Sequence, residues 1–374
     1  MELEISQSVF QEALSRVQGV IDRRSTVALL SHVLVEALEN TVRLTASDNE
    51  ISLTAEYPAT ISRPGSLCLP ARQLHEIIKN LPDNKPVVLK EINNSWLEIT
   101  CGTSYFRVVG LSSDGFPGMP RLRATSEIKL PAGGLGELIR AVYFSISTDD
   151  TRYGLNGALL SMDDEDNGSG LRLVSTDGHR LSISRYHDRL EGTLAGSYLL
   201  PRKGLQELRK LCDVAPSDGE VQVRLADDGA IFDLGQMSFF MRLLEGEFPD
   251  YRQVVPERSQ RELTLDKGEL TRALRRVSIL SSEKTHSVRF VVEADRLQLL
   301  TSSPDLGEAR EEVPARVVGG ALSIGFNARY FLDALDVLAE SEVLLLMGDS
   351  LHPALIRGAR SDQHMYVVMP MRIE

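Results

Sequence analysis

The chain repeats itself three times, and no other feature restricts its fold as strongly. Three stretches begin alike: LEISQSVFQEALSRVQGVI from Leu3, EIKLPAGGLGELIRAVYFSIS from Glu127 and ELTLDKGELTRALRRVSILSS from Glu262. Each reads as a short alternating strand followed by an amphipathic helix. Leu135, Leu138, Ile139 and Val142 take the i, i+3, i+4, i+7 spacing of one helical face. A second half-unit recurs as GSLCLPARQLHEIIKNLP from Gly65, GSYLLPRKGLQELRKLCD from Gly196 and GALSIGFNARYFLDALDVL from Gly320. Between the halves lie strand-rich blocks with turn signals, VRLTASDNEISLTAEY, LRLVSTDGHRLSISR and LQLLTSSPDLGEAREE. The predicted class is α+β, with three domains of about 125 residues at 1–123, 124–255 and 256–374, each large enough for its own core. Each has an antiparallel sheet outside and two helices on one side. Such sheets leave free edges, which domains in a row remove by pairing edge to edge and closing into a ring.

Composition narrows the function. A chain that is 42% hydrophobic and 25% charged has the balance of a globular protein. No apolar run approaches the ~20 residues of a membrane span, and MELEISQSVFQEALSRVQ lacks the basic and continuous apolar regions of a signal peptide. No membrane partner is expected, and the expected location is the cytoplasm. Cys68, Cys101 and Cys212 are far apart and form no C-x-x-C pair, so they read as thiols in a reducing compartment. The seven histidines show no metal-ligand spacing, so neither metal nor cofactor is expected.

The net charge of −12 argues against bulk attraction to nucleic acid, so any DNA contact needs a local basic surface. The predicted helices supply one. Over Ser8–Val20, Ala71–Asn80, Gly133–Phe144, Arg202–Leu211, Lys267–Ile279 and Asn327–Glu340, Lys and Arg outnumber Asp and Glu 13 to 8, leaving −17 for the rest. One basic face on an acidic body suits a protein that surrounds a polyanion. No base-reading motif and no interleaved aromatics are present, so contacts should go to phosphates and weaken with salt. The last helix departs from the trend, since Asp333, Asp336 and Glu340 outweigh Arg329.

The stretch STDGHRLSISR, from Ser175 to Arg185, admits two readings. Asp177, His179 and Ser182 form a possible hydrolytic group. Alternatively Asp177–Gly178 is a hairpin turn like the polar turns at the same place in the other repeats. The chain has no G-x-S-x-G elbow and no phosphate loop, which favours the turn.

Five segments occur in order across the repeat: RYGLNGALL, VSTDGHRLSISR, LPRKGLQELRKL, GEFPDYRQVVP and the terminal YVVMPMR. Together they resemble the bacterial DNA sliding clamp, the beta subunit of the replicative DNA polymerase holoenzyme, over the whole chain. The resemblance implies a homodimer, with two chains head to tail in a six-domain ring, helices inside and sheets outside. It implies no catalysis. The ring would hold the replicative DNA polymerase on double-stranded DNA by topology, after opening by a clamp-loader ATPase. A copy of the fold with no main replication role, duplicated or linked to resistance, is the alternative.

The resemblance also implies a pocket for short peptide motifs, carried by polymerases, repair polymerases and other clamp-binding proteins. The matching positions are Leu155, Thr176, Gly178, His179, Arg180, Leu181, Pro249 and Val254, with Val367, Met369, Pro370, Met371 and Arg372 from the C-terminal end. Methionines suit a floor that accepts several peptides. A peptide burying ~300–400 Å² of apolar surface gains roughly 8–10 kcal/mol gross. Ordering a flexible tail consumes part of that, leaving an affinity near micromolar. Matching DNA contacts are Arg24, Arg72, Tyr153, Arg202 and Lys203, and the implied dimer interface joins Phe106 and Arg107 to Ile279 and Leu280. Glu308, Glu311 and Glu312 are expected to face Arg107. Departures from relatives stand at Gln253, Pro353, Gly154 and Glu374.

Overall fold

A computed structural model describes residues 1–22, 25–83, 85–149, 151–163, 170–256, 259–283 and 285–372. Among these, six α-helices fall where the repeat places them: α1 Gln7–Val17, α2 Ala71–Lys79, α3 Ala132–Val142, α4 Arg202–Asp213, α5 Lys267–Val277 and α6 Ala328–Val337. The expected starts lie within a residue of these. Two expected ends run three residues long, since α1 stops at Val17 rather than Val20 and α6 at Val337 rather than Glu340.

Each helix owes its place to one buried stripe. In α5, Leu270, Ala273, Leu274 and Val277 are buried at i, i+3, i+4 and i+7. Asp266 caps it by accepting the Glu269 N–H at 2.7 Å, which satisfies one of the amides the first turn leaves unpaired. Asn327 caps α6 through Arg329 N–H at 2.9 Å. Phe331 of α6 meets Phe290 and Phe326 from the sheet at ring distances of 4.7 and 5.0 Å. Each such ring contributes about 1.5–3 kcal/mol by burial.

The chain groups into two compact units, residues 1–136, 189–195 and 203–243, and residues 137–188, 196–202 and 244–374. The first holds a five-stranded and a nine-stranded antiparallel sheet, and the second a twelve-stranded one, counted over the described residues. The middle repeat gives strands to both units, because the last strand of one repeat pairs with a strand of the repeat before it.

That pairing follows one rule. In every repeat two strands are joined by a three-residue turn: Ser47 to Ile51, Thr176 to Arg180 and Ser303 to Gly307. In the first unit the strand opening at Ile51 receives Met237–Arg242, with Leu53 opposite Phe239. In the second the strand opening at Arg180 receives His364–Val368, with Ser182 opposite Tyr366. Each time the third residue of one strand faces the third of the other, and the aromatic there is 0% or 2% exposed. The third copy of this pair is open. Among the described residues, Ser104–Val109 ends its sheet with only Trp96–Cys101 beside it, and residues 307–314 pair on one side only. Phe106, the matching third residue, is 38% exposed, and Tyr105 and Val109 are more so.

Candidate functional site

The hairpin between Gly170–Thr176 and Arg180–Tyr186 carries the centre of the site. Gly178 sits at φ +87°, a conformation glycine adopts without strain. The Asp177 carboxylate accepts the N–H groups of His179 at 2.9 Å and Arg180 at 3.0 Å, and the Arg180 Nε–H at 3.0 Å. It is thus committed to the turn. Ser182 is buried and bonded to Ser145 at 2.5 Å between hydroxyl oxygens, while His179 is exposed. The hydrolytic group is not assembled there.

Arg180 does most to hold this region. Its guanidinium donates to Asp177, to Asp333 of α6 at 2.5 Å and to the Phe144 carbonyl at 2.5 Å. It also lies 4.5 Å from the Tyr330 ring centre and 5.2 Å from that of Phe144. Burial, with the charge of Asp177, pushes the Tyr330 hydroxyl above its usual pKa. The acid surplus on the last helix now has a cause. Asp333 answers Arg180, Asp336 answers Arg275 at 3.0 Å, and Glu340, beyond the helix, accepts the Arg360 N–H.

Several of the other expected docking residues sit at this hairpin. Thr176 Oγ1 donates to the Arg180 carbonyl and accepts from Gly178 N–H. Leu181 faces Val367 across the strand pair, and Met369 N–H donates to the His179 carbonyl at 2.9 Å. Leu155 closes a short 3-10 helix whose preceding residue, Arg152, donates to the Asp177 carbonyl at 3.1 Å. Leu181 and Val367 are buried in one cluster with Val174, Ile183 and Leu355, so they form a floor rather than an open wall. Phe248, Tyr251 and Val255 pack on that cluster and pin the segment that carries Pro249 and Val254. The sequence reading missed these three and Tyr330; the aromatic spacing in GEFPDYRQVV was the available signal. Val254 and Met369 are exposed, and Met371 N–H bonds the Gly325 carbonyl at 2.8 Å. Arg372 is exposed.

Two of the departures have local reasons. A side chain at Gly154 would meet the Glu247 carbonyl, 2.8 Å from an added Cβ. Gln253 donates to Asp250, the cap of its own 3-10 helix, at 3.1 Å. Pro353 precedes the strand Ala354–Gly358. Glu374 lies outside the described residues.

The expected DNA contacts divide. Arg72 at the start of α2 is exposed, and Tyr153 is 73% exposed. Lys203 is exposed but ion-paired with Asp48. Arg202 is turned inward, donating to Tyr143 Oη at 3.3 Å and the Ile146 carbonyl at 3.1 Å. Its charge sits where the α4 dipole opposes it, and these acceptors account for its presence. Arg24 lies outside the described residues. Of the expected interface residues, Ile279 is 74% exposed and Leu280 half-buried in the 3-10 turn after α5. Arg107 stacks 4.7 Å from the Trp96 ring. Glu311 is held by Arg276 and Glu312 by Arg310, while Glu308 accepts from Ser302.

Burial pushes the thiols of Cys68 and Cys212 up to about 11 and about 12, which keeps them protonated and unreactive at neutral pH. Among the described residues, no group of three His, Cys, Asp or Glu is placed to hold a metal, and no helix is long and apolar enough to cross a membrane.

Models of the N-terminal, central and C-terminal domains of the DNA polymerase III beta subunit match residues 1–120, 129–250 and 252–372. The beta sliding clamp of Pseudomonas aeruginosa is 33% identical over the full length of both chains, and that of Escherichia coli K12 is 31% identical, also over the full length of both. The crystal structure of a Pseudomonas aeruginosa DNA polymerase sliding clamp superposes with a TM-score of 0.94 at 32% identity over all of both chains. A Bartonella birtlesii clamp bound to griselimycin gives 0.94 at 33%, again covering both chains fully.

Proposed function

We propose a function from one premise: the chain belongs to the DNA polymerase III beta subunit, or beta sliding clamp, family. It is a DNA sliding clamp, a processivity factor that surrounds duplex DNA and tethers the replicative polymerase. Its work is confinement rather than catalysis. A polymerase that releases the primer end meets it again at high effective concentration while the clamp stays threaded.

The observation that carries this reading is the open third strand pair. The same pairing closes twice within one chain and buries an aromatic each time. The third copy has both edges free and its aromatic, Phe106, exposed. A second copy arranged head to tail supplies the missing partner for each edge, and two such junctions close a ring of six domains, bounded near 123 and 255 in each chain. The rule of third residue to third residue sets the register: Phe106 opposite Ala309, Tyr105 opposite Arg310 and Arg107 opposite Glu308. Ile279 and Leu280 are placed to cover the same junction.

The register gives a direct test. Tyr105→Cys combined with Arg310→Cys should yield, on mild oxidation, a dimer linked at both junctions, because directly opposed Cβ atoms on paired strands approach disulfide distance. The native cysteines are buried and do not compete. Tyr105→Cys with Glu308→Cys, two residues out of register, should link poorly. Efficient linkage of that second pair, or none of the first, contradicts the arrangement.

The inner helices supply contacts to phosphate that ignore sequence. Arg72 and Lys203 on these helices, with Tyr153 from a short 3-10 turn, are the solvent-exposed candidates. Contacts from exposed cations to phosphate are individually weak and screened by salt, which favours sliding over anchoring. Partners dock through a short linear motif on the surface formed by His179, Val254, Met369 and their neighbours, over the Leu181–Val367 floor. The griselimycin complexes of related clamps support a ligand-accepting surface in this family. A closed ring cannot thread onto circular DNA, so a clamp-loader ATPase is a required partner. Repair polymerases and other motif-bearing proteins would compete for the same surface. We place the protein in the cytoplasm with the chromosome.

A further inference from the structure

The two closed strand pairs differ in how they are stitched. Each lies wholly within one compact unit and joins five residues to five, so their main-chain pairing is alike. Side chains make the difference. The pair of Arg180–Tyr186 with His364–Val368 is tied to its helices by groups that cross the junction. Arg180 reaches Asp333 of α6 and the Phe144 carbonyl just beyond α3. His364 meets Ser184 at 2.9 Å through one ring nitrogen and Glu137 of α3 at 3.2 Å through the other. At the far end Asp163, 0% exposed, lies 3.0 Å from Arg172 and 3.1 Å from Arg185, and Arg185 also donates to the Asp362 carbonyl at 3.2 Å.

The pair of Ile51–Pro58 with Met237–Arg242 lacks these groups at the matching places. Counted from the turn and from the first residue of each helix, Ile51 stands where Arg180 does, Gly19 where Phe144 does and Glu207 where Asp333 does. Ile51 has no side-chain donor. Glu207 passes close over Gly19 and is buried, but it pairs with Lys210 on its own helix at 2.8 Å. In place of Arg172 and Arg185 stand Arg43 and Glu56, a partly exposed pair inside the first repeat. Lys203–Asp48 does cross, at the turn. Farther along, a cavity of about 280 Å³ is lined by Glu12, Ser15 and Val20 on one side and Leu211 and Val214 on the other. A second, of about 440 Å³, adjoins it at Arg16 and Val214.

We propose that the first junction is the compliant hinge of the chain and the second a rigid block, so that an opening ring bends where Ile51–Pro58 meets Met237–Arg242. Buried, charge-assisted hydrogen bonds resist separation, because parting them strands charges away from water. A gap between helices removes the close packing that would otherwise transmit strain. Local opening therefore concentrates at the first junction. The use of this hinge in ring opening rests on the clamp reading above, while the difference between the junctions stands on the single chain.

Two measurements test it. In hydrogen exchange of the full-length protein, amides of Ile51–Pro58 and Met237–Arg242 should exchange about tenfold faster than those of Arg180–Tyr186 and His364–Val368. Thr54 lies between Ser238 across the junction and Thr45 on its own repeat's neighbouring strand. Thr54→Cys with Ser238→Cys, oxidised, locks the hinge and should slow loading onto nicked circular DNA about fivefold, with reduction restoring the rate. Thr45→Cys with Thr54→Cys places a disulfide inside one repeat and should leave loading unchanged. Equal or slower exchange at the first junction overturns the proposal, as does a locked hinge that loads at the unlocked rate or a control that slows as much. An unmodified protein that never loads overturns the clamp reading, and the exchange comparison still decides which junction is the softer.

Discussion

Replacing Phe106 with glutamate should turn the ring into monomers, with the dimer dissociation constant rising about 1,000-fold. The argument starts from the two closed junctions, where the equivalent residues Phe239 and Tyr366 are buried. Phe106 is exposed in the single chain and gains that burial only against a partner. Burying the 38% of the ring still exposed contributes roughly 1 kcal/mol per junction, desolvating a charge in its place costs about as much again, and a head-to-tail dimer contains the junction twice. Glutamate removes both contributions and sets a charge diagonal to Glu311 of the partner subunit, which repels it. A total near 4 kcal/mol corresponds to roughly a thousandfold in dissociation constant. Sedimentation at micromolar concentration should show dimer for the unmodified protein and monomer for the variant. A variant that stays dimeric would show that the junction lies elsewhere.

Arg180→Ala should be the most destructive single change around the docking surface. It leaves the Asp333 carboxylate, the Asp177 carboxylate and the Phe144 carbonyl without their shared donor. The side chain is 12% exposed, so water replaces little of what is lost. Hydrogen bonds to charged groups contribute about 1.5–3 kcal/mol each, and breaking a largely buried pair about 3–5. Asp333 stays partly solvated, so a loss of about 3 kcal/mol is expected, or a Tm lower by roughly 6–12 °C. Peptide binding should fall with it, because the turn that positions the His179 carbonyl for Met369 loses its anchor. His179→Ala separates the two effects. It removes an exposed imidazole, so Tm should hold within about 1 °C while peptide affinity drops. Calorimetry and anisotropy on both variants check this; an Arg180→Ala protein that melts unchanged would show that the Arg180 contacts do not hold the region.

Much of this was legible in the sequence because repeats and helical periodicity are local signals. The six helices follow from apolar spacing and from their recurrence in the repeat. The turn at Asp177 follows from its neighbours in the other repeats. What stayed hidden is long-range. Arg180 reads as a docking residue beside His179, and nothing nearby in the chain announces Asp333, 153 residues away. Leu181 and Val367 read as docking positions, and only the strand pairing shows that they face each other and are buried in one cluster. Arg202 reads as a free cation at a helix start, yet Tyr143 and the Ile146 carbonyl hold it. The missing third strand pair was predictable only as a free edge. Its register needed the two closed copies for comparison.

The central claim is that the protein stays on DNA by topology, and one measurement addresses it. The clamp is loaded by its cognate loader onto nicked circular DNA, separated from free protein, and the DNA is then cut once. Retention on the circle should persist at salt concentrations that abolish ordinary phosphate contacts, and cutting should release the clamp promptly from the free ends. Equal retention on circular and linear DNA would contradict the account.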